Sequence, residues 1–275
     1  MNIKAYTYEL MCRIRKGSPL IHNITNFVAM NSSANILLAV GASPVMAHSR
    51  DEVGEMASLA DALVLNIGTL QRDWVGSMIC AARAANRKGI PVILDPVGAG
   101  ATSLRSEAVR TIMSEASISV LRGNASEVFS LASDGVRTRG VDSSLLVSAD
   151  VIRAAGEMAL GKNCIIVISG EKDLITDGRR IFRVANGRPI MARVTGLGCG
   201  LSAVIAAFCA VAGGELLHAS TAAAALYGLC GEMAERVSVG PGSFSVAFID
   251  ALYSVGKKEI DELLLVSEEE RWPDA

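Results

Sequence analysis

Short, continuously apolar runs alternate along the chain with longer stretches whose apolar residues recur at helical spacing. The runs fall at residues 20–24 (LIHNI), 43–47 (SPVMA), 62–67 (ALVLNI), 91–96 (PVILDP), 118–121 (ISVL) and 164–169 (CIIVIS). Between them, residues 73–88 and 103–115 carry the helical period. A strand that is apolar at nearly every position is buried on both faces, as when helices cover both sides of a parallel sheet. Farther on, Asp177-Gly178 and Asn186-Gly187 mark tight turns in DLITDGRRIFRVANGRPI, so antiparallel strands are expected at one edge. From Gly198 onward the pattern is mostly helical. No linker, internal repeat or low-complexity stretch interrupts it. The chain reads as a single α/β domain over residues 1–275, with a solvated acidic tail from about 266 to 275 (SEEERWPD within it).

Composition narrows this picture. A mean hydropathy of +0.38 over 275 residues supplies enough apolar surface for one large core. The net charge is −2 and no run of five like charges occurs, so the basic footprint of a nucleic-acid partner is missing. None of the six cysteines forms a CxxC pair or a zinc-like spacing with the three histidines. Most lie inside apolar patterns, where cysteine is a small buried hydrophobe. Neither a signal segment nor an uncharged run long enough for a bilayer is visible, so a cytoplasmic protein without membrane contact is expected.

Polar and glycine residues gather just after the apolar runs: HNITN, MAHS, NIGT, DPVGAG, RGNASE and SGEKD. In an open α/β sheet, ligands bind beyond the carboxyl ends of the strands, although ordinary turns also place polar residues there. The densest glycine cluster, VTGLGCGLSAVIAAF (residues 194–208), fits neither GxxxxGK[ST] nor GxGxxG. It is a glycine turn entering a helix, which offers free N–H groups and a positive dipole end to an anion. It equally suits a turn required for close helix packing. Asn124 and Glu127 form an NxxE that can face a pocket together or simply cap a helix. Asp95, at the end of the most apolar run, suits either Mg²⁺ or an Asx-turn. Arg122 beside this loop suits phosphate oxygens or an ion pair. His22 and His48 read as hydrogen-bonded scaffold, and spacing leaves Met46 open between core and pocket wall.

The glycine turn, the NxxE and the strand-end carboxylate together resemble the ribokinase-like fold. That superfamily carries an NxxE element near Mg²⁺ and a GxGD anion hole ending in a catalytic Asp. Here the tetrad is Gly196-Leu197-Gly198-Cys199, with cysteine where Asp is usual. That replacement marks the hydroxyethylthiazole kinases of thiamine salvage, which this sequence resembles over nearly its whole length. The carrying segments are PLIHNITNFVAMN, LAVGASPVMAH, LNIGTL, PVILDPVGAGAT, RGNASE, VTGLGC and GPGSF.

The resemblance implies a mainly parallel central sheet of about nine strands with helices on both faces, and a homotrimer with sites between subunits. It implies ATP as co-substrate, Mg²⁺, and 4-methyl-5-(2-hydroxyethyl)thiazole as phosphate acceptor. Carried onto this chain, Met46 and Gly196 contact the thiazole, with Asn26, Val28 and Gly68 nearby. Arg122, Ser169, Asn124 and Gly198 serve ATP, Asp95 and Glu127 serve the metal, and Cys199 lies beside the acceptor hydroxyl. The segment before Ser18 and residues 132–146 match least and receive no function. Other small-alcohol kinases and an ADP-binding dehydratase of the same fold are disfavoured by the missing Asp. A non-catalytic regulator is disfavoured by the intact NxxE, Asp95 and Arg122.

Overall fold

The computed structural model describes residues 1–132 and 148–269. Nine strands form one sheet in the order β2-β1-β3-β4-β5-β6-β7-β8-β9. They are β1 Leu20–Ile24, β2 Ser43–Val45, β3 Ala62–Asn66, β4 Val92–Asp95, β5 Val120–Asn124, β6 Ile165–Ser169, β7 Asp173–Thr176, β8 Ile181–Val184 and β9 Val266–Glu269. Strands β1 to β6 pair in parallel, and β7, β8 and β9 follow antiparallel, as the turn residues imply.

Two hydrophobic cores explain why the central runs are apolar throughout. Ile21, Val64, Ile93, Val120 and Val167 face one core, and Leu63, Leu65, Leu94, Leu121 and Ile166 face the other. Alternate side chains of a strand point to opposite faces, so both sets must be apolar. The first core is covered by α1 Ile3–Gly17, α2 Met30–Val40, α8 Leu197–Ala210, α9 Leu216–Glu235, α10 Pro241–Ser254 and α11 Lys257–Leu263. The second is covered by α3 Val53–Leu59, α4 Arg72–Lys88, α5 Ser103–Glu115, α6 Ala125–Ala132 and α7 Ala149–Lys162. Among the described residues no helix is long and apolar enough to cross a membrane.

Two expectations change. Residues 266–269, expected within a solvated tail, instead form the edge strand β9, paired to β8 along its length. Arg183 Nε donates to Glu269 Oε1 at 2.7 Å across that pair. Charged side chains on an edge strand blunt further pairing, and their acidity disguises a strand as a tail. The second change is at β5, which runs on through Arg122, Gly123 and Asn124, paired to Val167, Ile168 and Ser169. These polar residues therefore lie inside the sheet and not in a loop beyond it. The poorly matching stretch from 133 onward and the last six residues lie outside the described residues.

Candidate active site

Parallel strands bring their carboxyl ends to one edge of the sheet, so residues far apart in sequence meet there. Asn66 and Asp95 are register partners at the ends of β3 and β4, and Asn124 and Ser169 at the ends of β5 and β6. A cleft of about 650 Å³ opens above them, lined by Asp95, Arg122, Asn124, Glu127, Ser169, Gly198 and Cys199 among others. Seven of the residues singled out from sequence thus converge on one cleft.

The charges are buried and tied to one another. Arg122, whose side chain is 11% exposed, approaches Asp95 Oδ2 at 3.6 Å and donates to Ser169 Oγ at 2.6 Å. Ser202 Oγ, on α8, donates to Asp95 Oδ2 at 2.7 Å. Burial pushes the Asp95 carboxyl above its ordinary range, opposed by Arg122 and Ser202. Burial works against the Arg122 charge, but Asp95 and Glu127 outweigh it and hold the guanidinium protonated. Glu127 is raised by burial first and then by Asp95. Two buried carboxylates thus share one guanidinium, an arrangement short of positive charge.

Glu127 makes the cap that the NxxE spacing allowed. Its Oε2 accepts from Asn124 N at 2.8 Å, while Asn124 Oδ1 accepts from Glu127 N at 2.9 Å. The other oxygen, Oε1, accepts from Gly98 N at 2.8 Å and so anchors the loop after β4. Capping and pocket placement are therefore the same geometry, because the capped helix end is the cleft wall.

The glycine turn has a different rationale from ligand approach alone. Gly196 precedes α8 at φ +83, a left-handed conformation that glycine adopts freely. A Cβ there would lie 2.6 Å from Ser32 Oγ, and one at Gly198 would lie 3.0 Å from the Arg122 guanidinium. These glycines make room for side chains that build the site. No side chain caps α8, so its first-turn amides are left for a ligand at the cleft edge formed by Leu197, Gly198 and Cys199.

Cys199 receives a hydrogen bond from Asn26 Nδ2 at 3.2 Å. Burial, with the Asp95 charge second, pushes its thiol up to about 11, so it is neutral at pH 7. The residues expected beside the acceptor, Asn26, Val28, Met46, Gly68 and Gly196, are not part of the cleft lining. Asn26 is buried and Gly68 packs against it, with space for no Cβ. Val28 is 60% exposed, and Met46 lies one residue beyond the edge strand β2. Neither lines the cleft. His22 accepts the scaffold reading: its Nε2 pairs with the Ala47 carbonyl at 2.8 Å. His48 does likewise: its Nε2 lies 3.1 Å from Thr25 N and 3.0 Å from Thr25 O, accepting from the first or donating to the second according to its tautomer.

Sequence reasoning missed Ser202, Asn66, Asp173 and the wall formed by residues 186–191. Ser202 carried a signal: it lies one helical turn beyond Cys199 in an otherwise apolar helix. Asp173 opens β7, accepts from Gly170 N at 3.0 Å, and is raised to about 6 by burial.

The chain is similar to known proteins along nearly its whole length. Residues 11–258 match a family model described as the hydroxyethylthiazole kinase family. A hydroxyethylthiazole kinase of Desulfotalea psychrophila is 51% identical over 261 residues, 95% of either chain. A solved hydroxyethylthiazole kinase protein from Pyrococcus horikoshii superposes with a TM-score of 0.89 at 41% identity, covering 97% of this chain and all of that one. A ribokinase-like superfamily protein from Enterococcus faecalis, 16% identical, has a TM-score of 0.57 over 86% of this chain and 87% of its own. That distant likeness speaks for the fold alone. The cysteine that ends the glycine turn, the carboxylates it faces and similarity along nearly the whole chain agree: this protein belongs to the hydroxyethylthiazole kinase family.

Proposed function

We propose that the chain transfers the terminal phosphoryl group of ATP to the hydroxyl of 4-methyl-5-(2-hydroxyethyl)thiazole, giving the thiazole phosphate and ADP in thiamine salvage. The observation that carries this reading is the convergence of Asp95, Arg122, Glu127, Ser169 and the uncapped α8 end around Cys199 in one cleft. The alcohol oxygen forms a bond to phosphorus as the bond to the ADP oxygen breaks, and ADP leaves with that electron pair. Such transfers depend mainly on alignment and on neutralising charge. Arg122, Ser169 and the α8 amides bind the phosphates. Cys199, as a neutral thiol, orients the hydroxyl and is not its base. The alcohol proton leaves late, to the oxygens of the group being transferred.

The donor set also fits Mg²⁺. Asp95 and Glu127 are two buried carboxylates, the second raised by the first, that share the Arg122 guanidinium, and Mg²⁺ is commonly held by one or two carboxylates plus phosphate and water. Asp95 and Glu127 would hold it, and it would supply charge neutralisation across the nucleotide phosphates. A homotrimer is part of the proposal. Phe27 and Val28 are exposed apolar residues beside Asn26, the surface a second copy would cover to complete the acceptor site.

The test is ADP release with the thiazole alcohol beside hydroxymethylpyrimidine and ribose. Mg²⁺-dependent release with the thiazole is expected. Turnover with either alternative and none with the thiazole would overturn the reading.

A further inference from the structure

Asn66 has no part in the transfer described above, yet its side chain is tightly held close to Cys199. It ends β3, 1% exposed, directly beside Asp95 in the sheet register. Its Oδ1 accepts two hydrogen bonds, from Gly68 N at 2.9 Å and from Asn26 Nδ2 at 2.8 Å. Two donors on one atom fix which end of the amide is oxygen. The Nδ2 end must then turn the other way, where it is buried without a well-formed hydrogen bond of its own. It bears on the two groups of the reaction end, the Asp95 carboxyl and the Cys199 thiol, and its weak side-chain hydrogen bonding lowers both.

The partner of Asn66 is equally fixed. Asn26 Oδ1 accepts from Ala29 N at 2.9 Å, and its Nδ2 serves both Asn66 Oδ1 and Cys199 Sγ. Gly68 presses on the Asn26 side chain so closely that a Cβ would lie 2.6 Å from it. A rigid path therefore runs from the backbone of β3 through Asn66 and Asn26 to the sulfur. Because the sulfur accepts from Asn26, its own S–H is free to turn towards the cleft.

We infer that Asn66 is a positioning residue for the phosphoryl transfer, holding Cys199 against the acceptor hydroxyl through the amide of Asn26. The inference rests on the kinase reading proposed above. Asn66 gives up no proton and touches neither substrate. Its effect is on alignment, where displacement of a reacting group by about 1 Å costs roughly 10²-fold.

The experiment is a double-mutant cycle on kcat and KM with ATP, Mg²⁺ and the thiazole alcohol. Asn66→Ala is expected to lower kcat about 10- to 100-fold with the KM for ATP within about twofold, and Asn26→Ala to act similarly. In the Asn26→Ala background, Asn66→Ala is expected to cost less than about threefold more, because the path is already cut. Losses that multiply would overturn the inference, as would a KM for ATP that rises as far as kcat falls, or an Asn66 variant as fast as wild type. Should Asn66→Ala not fold, Asn66→Ser keeps an oxygen near Gly68 N but falls short of Asn26, and the same pattern is required of it. If wild type is silent with the thiazole, the kinase reading fails by itself, and the cycle is read with hydroxymethylpyrimidine or ribose, whichever is turned over. Silence with all three overturns both.

Discussion

Replacing Glu127 by Gln separates what this carboxylate does for the fold from what the proposal has it do for Mg²⁺. Each Glu127 oxygen accepts a buried backbone N–H, from Gly98 and from Asn124, both at 2.8 Å. Glutamine has one oxygen, so one of those N–H groups must face an NH₂ group instead. A buried donor left unpaired costs about 1–3 kcal/mol. Against this, Gln removes a charge that burial and Asp95 both disfavour, so a net loss of about 1–2 kcal/mol is expected. For a chain of this size that is a fall of roughly 2–6 °C in melting temperature. The gap has a pH signature. Because the folded pKa of Glu127 is raised, its ionisation weakens wild type as pH rises above the ordinary carboxylate range, whereas Gln cannot titrate. The gap should therefore be widest at acidic pH and narrow towards pH 8. Activity should fall about 10²- to 10³-fold, the scale for losing one electrostatic partner in a transition state, and recover partly at high Mg²⁺. Calorimetric melts at pH 5 and pH 8 beside an ADP-release assay read all of this. Unchanged melting would refute the hydrogen-bond reasoning, and a lower melt with normal turnover would reduce Glu127 to a cap.

Asp173 titrates at about 6 in the fold against an ordinary 3.8, so its contribution is fully present below about 3.8 and is lost as pH rises to about 6. The full conversion is about 3 kcal/mol; because the residue is partly exposed, about 1 kcal/mol is expected. Asp173→Asn keeps an acceptor for Gly170 N and should flatten that slope in melts from pH 4 to 7; a variant with the wild-type slope refutes the assignment. With the Cys199 thiol at about 11, kcat should show no limb from it between pH 6.5 and 8.5. Cys199→Ala should lose about 10- to 100-fold, at least as much as Asn66→Ala and short of the roughly 10⁴-fold a true general base can supply, while Cys199→Asp should match or exceed wild type at pH 8 and acquire an acid limb. A thousandfold loss in the alanine variant would make the thiol a base after all. Light scattering should give about three times 28.8 kDa, and a fully active monomer would refute shared acceptor sites.

Most of the scaffold was legible because burial on both faces forces continuous apolar runs, and few other structures ask for them. The run at 62–67 became β3 almost unchanged, and residues 103–115 became α5. Legibility failed where a residue's neighbours are remote. Arg122 and Asn124 look like loop residues in sequence, but pairing with Val167 and Ser169 makes them strand. The glycines were visible as a cluster, but not their reason. At Gly198 the neighbour is the Arg122 guanidinium, and at Gly200 a Cβ would lie 2.5 Å from Ile36 Cδ1 and 2.7 Å from the Tyr227 hydroxyl. Asn66 was hidden because an asparagine in NIGT reads as a turn; its Oδ1 does accept from Gly68 N two residues on, and only the fold brings up the second donor, Asn26 Nδ2.

The charge balance of the cleft accounts for a cysteine at position 199. Burial raises both Asp95 and Glu127, Asp95 raises Glu127 further, and the Arg122 guanidinium bears on both. Ionised together, the two carboxylates would outnumber that guanidinium before a nucleotide, itself strongly anionic, arrives. A third carboxylate in that field would be raised in turn, as the thiol is by Asp95, and would oppose nucleotide entry whenever it ionised. A thiol keeps position 199 neutral over the working range, at the cost of a strong base. That cost is small in a loose transition state, where the attacking oxygen surrenders its proton late and charge collects on the transferred oxygens. What the site must then supply is a hydroxyl held in line, and this requirement falls on the sulfur and on the amides of Asn26 and Asn66 behind it.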